Sequence, residues 1–110
     1  MDCLFCKIIA GDIPSAKVYE DEFIYAFRDI NPQAPVHVLI IPKKHMANAL
    51  EADGETVARL FDAVKVIARQ EGVEESGFRL VSNCGADACQ SVHHLHIHLL
   101  GGRQLGESMA

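Results

Sequence analysis

The 110-residue sequence has no apolar run long enough to cross a membrane. Its main central run, Val38-Leu39-Ile40-Ile41, falls far short of the roughly 20 residues that a spanning helix needs. The N-terminus also lacks the basic-then-apolar pattern of a secretory signal, so a soluble, cytoplasmic protein without membrane partners is the expectation. Internal repeats and low-complexity tracts are missing, and the few Pro and Gly clusters are spaced like turns. With 49% hydrophobic residues, the sequence reads as one globular domain over 1–110. Positive charge is scarce: ten basic against fifteen acidic residues leave a net charge of −5, and Lys43-Lys44 is the sole basic cluster. That excludes a nucleic-acid polymer as partner, because such binding depends on neutralising many phosphates, but it leaves room for a mononucleotide. The cysteines are few, Cys3, Cys6, Cys84 and Cys89. Nothing marks a secreted chain, which favours metal binding or simple burial over a disulfide framework.

Among the residues present, Leu4, Phe5, Ile8 and Ile9 fall at helical spacing, and Gly11 stops that short helix. Lys17 to Glu20 and Phe23 to Asp29 are rich in β-formers and flank Asp21-Glu22, which reads as a hairpin. After the loop Asn31-Pro32-Gln33-Ala34-Pro35, Val36 to Ile41 reads as a strand ended by Pro42. From about Glu55 to Gln70, Val57, Leu60, Phe61, Val64, Ile67 and Ala68 recur at three- and four-residue steps, giving an amphipathic helix stopped by Gly72. Phe78 to Asn83 and Val92 to Leu100 read as two further strands. The order predicts an α+β domain with about five antiparallel strands and two helices.

Along Val92 to Leu100, alternation would place His94, His96 and His98 on one face and Leu95, Ile97 and Leu99 on the other, with His93 on the leucine side. Same-face neighbours would stand roughly 6.6 Å apart, from a rise of about 3.3 Å per residue. Three imidazoles in a row admit three readings. A solvated face would mix Lys, Glu and Thr instead of repeating one residue type. A three-histidine metal centre would want ligands that converge more than alternate residues on a straight strand do. A nucleophilic centre would use the middle imidazole on an electrophile while its neighbours hold oxygens and move protons.

The run His94-Leu95-His96-Ile97-His98-Leu99-Leu100 resembles the signature of the histidine-triad (HIT) family, and the resemblance extends along nearly the whole chain. It includes Lys7-Ile8-Ile9, Ile13-Pro14, Phe27-Arg28-Asp29-Ile30, Pro32-Gln33-Ala34-Pro35, His37, Ile41-Pro42-Lys43-Lys44-His45, Asn83 and Gln90-Ser91-Val92. The ending Leu100-Gly101-Gly102-Arg103 is similar to the Hint branch of purine nucleoside phosphoramidases. The nucleotidyltransferase branch typically carries Gln at the position of His98, and the dinucleoside polyphosphate hydrolase branch usually has Pro-Arg after its triad.

The resemblance implies hydrolysis of a purine nucleoside 5′-phosphoramidate through a nucleotidyl-histidine on His96. His98 and His37 would bind phosphate oxygens or relay a proton, as His94 does in metal-free relatives. Ser91 and the backbone amide of Cys89 would hold phosphate or leaving group, with Asn83 as a further polar contact. Asp29 would accept hydrogen bonds from the ribose hydroxyls. Leu4, Phe5, Ile8, Ile13, Phe27 and Ile30 would wall the base. Apart from the resemblance, Ser91 and Asn83 read as turn and strand-end residues, Asp29 as a cap, and the apolar positions as core.

Cys3-Leu4-Phe5-Cys6 is a Cys-x-x-Cys unit, and thiolates with imidazoles are the usual ligands of structural zinc. Some bacterial members that this chain resembles join such a pair to the histidine after Pro-Lys-Lys and to the first triad histidine. Here those are His45 and His94, which gives a four-ligand set for structural Zn2+. Zinc at His94 would free that ring from proton transfer. Cys84 and Cys89 read as loop residues, and the tail from Gln104 lacks the aromatic ending common in the Hint branch. The family also implies a homodimer with its sheets joined across the two-fold.

Overall fold

A computed structural model of the chain describes residues 3–109. The first helix, α1 (Leu4–Ile9), is capped by the Cys3 side chain, which accepts from the Cys6 amide, and it buries Phe5 and Ile8. The chain turns away at Gly11, whose φ of +84° suits glycine. Strands β1 (Lys17–Glu20), β2 (Ile24–Arg28) and β3 (Val36–Pro42) form an antiparallel meander. The long helix α2 (Gly54–Gln70) follows, with Asp53 accepting from the Thr56 amide as N-cap. Strands β4 (Phe78–Val81) and β5 (Ile97–Gly101) complete a five-stranded sheet of order β1-β2-β3-β5-β4, all neighbours antiparallel. Two short 3₁₀ turns, Ala49–Glu51 and Ala86–Ala88, were not expected from the sequence.

The central strand β3 is buried on both sides, which is why its sequence is a continuous apolar run and not an alternating one. Val38 and Ile40 join Ile24, Ala26, Ile97 and Leu99 under the apolar stripe of α2. Leu39 and Ile41 point the other way, to Phe5, Ile8, Tyr25 and Phe27. The sheet thus separates a large core beneath α2 from a smaller one beneath α1.

Three strand boundaries differ from the sequence reading in ways that bear on the site. Strand β5 starts at Ile97, not Val92. Its register pairs Ile97 with Ile40, and continuing it would set Leu95 against Pro42, which has no N–H to offer. The Leu95 amide instead donates to the Met46 carbonyl at 2.7 Å. Strand β4 correspondingly stops at Val81, opposite His98, because its next partners lie at and beyond the start of β5. In the other direction, β3 runs one residue past the expected end, with Pro42 as its last member, opposite Ile24. Among the described residues no helix is long and apolar enough to cross a membrane.

This packing predicts that Ile67→Ala, a fully buried position of α2, lowers the unfolding free energy by about 2–5 kcal/mol. Asp53→Ala should lower it by about 1 kcal/mol through loss of the cap. Urea denaturation measures both, and a smaller loss at Ile67 than at Asp53 would contradict the core described here.

Candidate functional site

The α1 side of the sheet carries the imidazoles. His37 shares its face of β3 with Leu39 and Ile41, and β5 sets His98 opposite Leu39, so His37 and His98 meet diagonally. Their rings lie 5.1 Å apart, and those of His98 and His96 also 5.1 Å apart. The expected row of three is therefore split. His96 and His98 stay together and take His37 as their third member, whereas His94, ahead of the strand, turns to His45 at 4.9 Å.

Hydrogen bonds fix which nitrogen of each neutral ring carries its proton. A carbonyl can only accept, so His96 Nδ1, 2.7 Å from the carbonyl of its near neighbour His94, is the protonated nitrogen. The lone pair is then on Nε2. The Gln33 amide donates to His37 Nδ1 at 3.0 Å, which places the His37 proton on Nε2. That nitrogen lies 2.9 Å from His98 Nδ1 and 3.4 Å from Asp29 Oδ2. His98 accepts at Nδ1, and its own proton sits on Nε2. Burial pushes the pKa of His98 down to about 4, helped by His96 and His37 beside it. Burial lowers His37 as well, against an opposing pull from Asp29.

His94 is fully buried and donates from Nε2 to the Pro42 carbonyl at 2.8 Å, leaving Nδ1 as an acceptor. That Nδ1 lies 3.3 Å from Cys3 Sγ and 3.6 Å from Cys6 Sγ, and His45 Nδ1 lies 3.4 Å from Cys6 Sγ. A tetrahedral zinc with Zn–S of about 2.3 Å and Zn–N of about 2.0 Å spaces sulfur and nitrogen about 3.5 Å apart. The three sulfur–nitrogen distances match that spacing, and the four ligand atoms all lie within 4.8 Å of one another, so the donor set is compatible with such a cation. Burial, then the neighbouring Cys3, pushes the Cys6 thiol up, and burial pushes His94 down, so a cation bound here would displace a proton from Cys6.

The remaining expected residues are distributed unevenly. Phe5, Ile8 and Phe27 lie in the α1-side cluster with Ile13 at its margin, but Leu4 is 46% exposed and Ile30 is wholly exposed. Asp29 sits at the rim: its Oδ1 caps the Asn31 amide at 2.8 Å while Oδ2 faces His37. Ser91 is exposed and Asn83 half-buried, both flanking the 84–90 turn. The Cys89 amide is already spent on the Ala86 carbonyl at 3.0 Å, so the expected phosphate contact from that amide is not available in this turn. Cys89 itself adopts a left-handed φ of 59°. Gln90, which carried no separate role in the sequence reading, holds the turn together by bonding Gly85, Ala47 and Val92. His93 is exposed and not on the leucine side, because the chain at that point has not yet entered β5. Lys43 is paired with Glu20 at 2.7 Å.

The depressed His98 has a consequence for stability. Unfolding returns it toward its ordinary 6.5, so between about pH 6.5 and about pH 4 the unfolded chain holds the extra proton. Stability present above that window should fall as pH drops through it. His98→Asn should make the fall shallower, as read by urea midpoints at pH 7, 5.5 and 4.5; parallel slopes would refute the assignment.

The HIT domain family matches residues 10–105. A "14 kDa zinc-binding protein" of Zea mays is 54% identical over 93% of this chain and 83% of its own length. The "purine nucleoside phosphoramidase" of Escherichia coli K12 is 46% identical over 99% of this chain and 94% of its own length. A solved structure described as a HIT family hydrolase from Clostridium thermocellum superposes with a TM-score of 0.95, at 47% identity, covering 99% of this chain and 97% of that one. With the imidazole arrangement and these matches together, the chain belongs to the histidine-triad family.

Proposed function

We propose that this protein is a nucleotide hydrolase that cleaves the P–N bond of purine nucleoside 5′-phosphoramidates, adenosine 5′-phosphoramidate being the type substrate. The observation that carries the reading is the 2.7 Å bond from His96 Nδ1 to the His94 carbonyl, which leaves His96 Nε2 as a lone pair in a fixed direction. That lone pair attacks the α-phosphorus and forms an N–P bond. The P–N bond to the leaving group breaks, and its electron pair departs with the amine, which takes up a proton. The His98 Nε2–H is the donor placed to bond a phosphate oxygen or to pass that proton, which the attacking water returns in the second step, while the His37 Nε2–H bond to His98 Nδ1 holds the ring in that orientation. Water then attacks the nucleotidyl-histidine, releasing the nucleoside monophosphate and restoring His96.

Asp29 holds the ribose, and Phe5, Ile8, Ile13 and Phe27 hold the base, with Leu4 and Ile30 closing over it from the rim. Ser91 contacts the phosphate and Asn83 assists. A zinc ion at Cys3, Cys6, His45 and His94 is structural, and His94 orients the strand instead of moving protons. Support comes from the relative named a phosphoramidase, the relative named zinc-binding, and the fit of the four ligands. All four cysteines are free thiols, which agrees with a cytoplasmic setting. Taken as one domain, the chain has a further need. Edge strand β4 exposes Phe78, and α2 exposes Val57 and Phe61 along an apolar groove of about 290 Å³ that Leu80 and Val81 of β4 also line. A homodimer that joins the sheets through this side would cover that surface.

Two outcomes follow. Steady-state hydrolysis of adenosine 5′-phosphoramidate should fall at least about a thousandfold in His96→Ala, while kcat of the wild type persists after strong chelation. Turnover indifferent to His96 would remove the mechanism, and nucleotide binding without any wild-type turnover would favour a non-catalytic binding module. In light scattering the protein should run at twice its 12.1 kDa chain mass, and Phe61→Lys should shift it toward the monomer; a monomeric wild type would refute the dimer.

A further inference from the structure

Helix α1 stands between two sites. Cys3 and Cys6 deliver its N-terminal end to the four-ligand cluster, and Phe5, next to Cys6 in the chain, sets its ring edge-on to His96 at 5.2 Å and 85°. The same ring meets His94 at 5.9 Å and Phe27 at 5.4 Å. A six-residue helix is far below the length of about 12–15 residues at which an isolated helix becomes even marginal. It is held by burial of Phe5 and Ile8 and by sulfur–nitrogen contacts of 3.3–3.6 Å to His94 and His45. Those contacts reach segments 39 and 91 residues away in sequence, so nothing local replaces them.

A second link runs through the backbone. The carbonyl that orients His96 belongs to His94, whose ring is one of the four ligands. The His94 backbone thus joins the cluster to His96, and Cys3 and Cys6 join it to the Phe5 wall.

We infer that the Cys3–Cys6–His45–His94 cluster is a coupling site: a divalent cation of the zinc class bound there and a purine nucleotide bound beside His96 strengthen each other's binding, because both are held through α1 and the His94 backbone. The inference rests on the nucleotide reading above. It makes the metal more than a staple, since metal supply would set nucleotide affinity. By linkage the factor is the same in both directions, and couplings of this kind run from about 5-fold to 150-fold.

The test measures adenosine 5′-monophosphate binding by calorimetry on the zinc-loaded and the stripped protein, and zinc affinity by competition with a chromogenic chelator, with and without the nucleotide. About a tenfold weakening of nucleotide binding on stripping, matched by about a tenfold tightening of zinc by nucleotide, is expected. Equal nucleotide affinity in both forms, or no zinc uptake, overturns the coupling; failure of the zinc-loaded protein to bind nucleotide overturns the underlying nucleotide reading instead. Hydrogen exchange on the stripped protein should show lost protection at residues 4–9 with protection kept across Val38–Ile41 in β3. Loss across the whole sheet would mean that the metal holds the entire fold, and would also overturn the inference. Phe5→Ala should keep zinc uptake while the coupling factor falls toward one, and an undiminished factor in that variant would refute the route through α1.

Discussion

The pairing of β5 against β3, with Leu39 opposite His98, decides on which side of the sheet each functional imidazole stands. Side chains alternate with period two, so a slip of one residue would send His98 under α2 and bring Ile97 and Leu99 out among the histidines. That slip is prevented from both faces. Leu99 and Val38 are fully buried on the α2 side, and Leu39 and His37 are buried on the other. The large core thus acts on the chemistry at one remove. Leu60, Val64 and Ile67 touch no substrate, yet they hold the register that lets His37 Nε2 reach His98 Nδ1.

Within that frame a short series of donors and acceptors sets the proton on every ring. The Gln33 amide forces the His37 proton outward to Nε2, His37 in turn forces the His98 proton to its far nitrogen, and the His94 carbonyl forces the His96 proton to Nδ1. Each step uses a backbone group or a neighbouring ring, so no charged residue is needed to leave the His96 lone pair on Nε2. Asp29 lies close enough to His37 to stabilise a transient positive charge but is divided between that ring and the Asn31 amide. Any group that drew Asp29 away from His37 would alter the field felt by that ring.

The strands and helices were largely legible because most have one dominant periodicity. β3 is apolar throughout, α2 carries a single stripe, and α1 ends at a glycine with positive φ. At the start of β5, where the histidine row was expected to be continuous, one residue is responsible for the departure. Pro42 cannot donate to a partner at Leu95, and so β5 begins after His96; the histidine row, which presupposed a straight strand from Val92, divides there. The exposure of His93 has the same origin. The metal cluster was not legible from spacing alone, because its ligands come from three segments brought together only by the fold, and family resemblance joined them in advance. The partnership of His37 with His98 was expected from the resemblance, and the alternation of Val36 to Ile41 supports it by making His37 the one polar side chain of that strand.

Burying His37, His94 and His96 in a chain this small is costly unless every polar nitrogen finds a partner. Among the described residues no buried side-chain nitrogen or oxygen lacks one. Burial favours the uncharged forms of His37 and His94, and a second proton on His37 would meet a nitrogen already accepting from the Gln33 amide. The packing of these two rings thus favours their neutrality. The two clusters then differ in what they can do with it. His94 has both ring nitrogens occupied and can only bind a cation or hold position, whereas His96 Nε2 and the proton on His98 Nε2 are the valences left over for a ligand. A phosphorus centre with oxygens around it and a nitrogen to be protonated is complementary to that pair, one lone pair beside one donor.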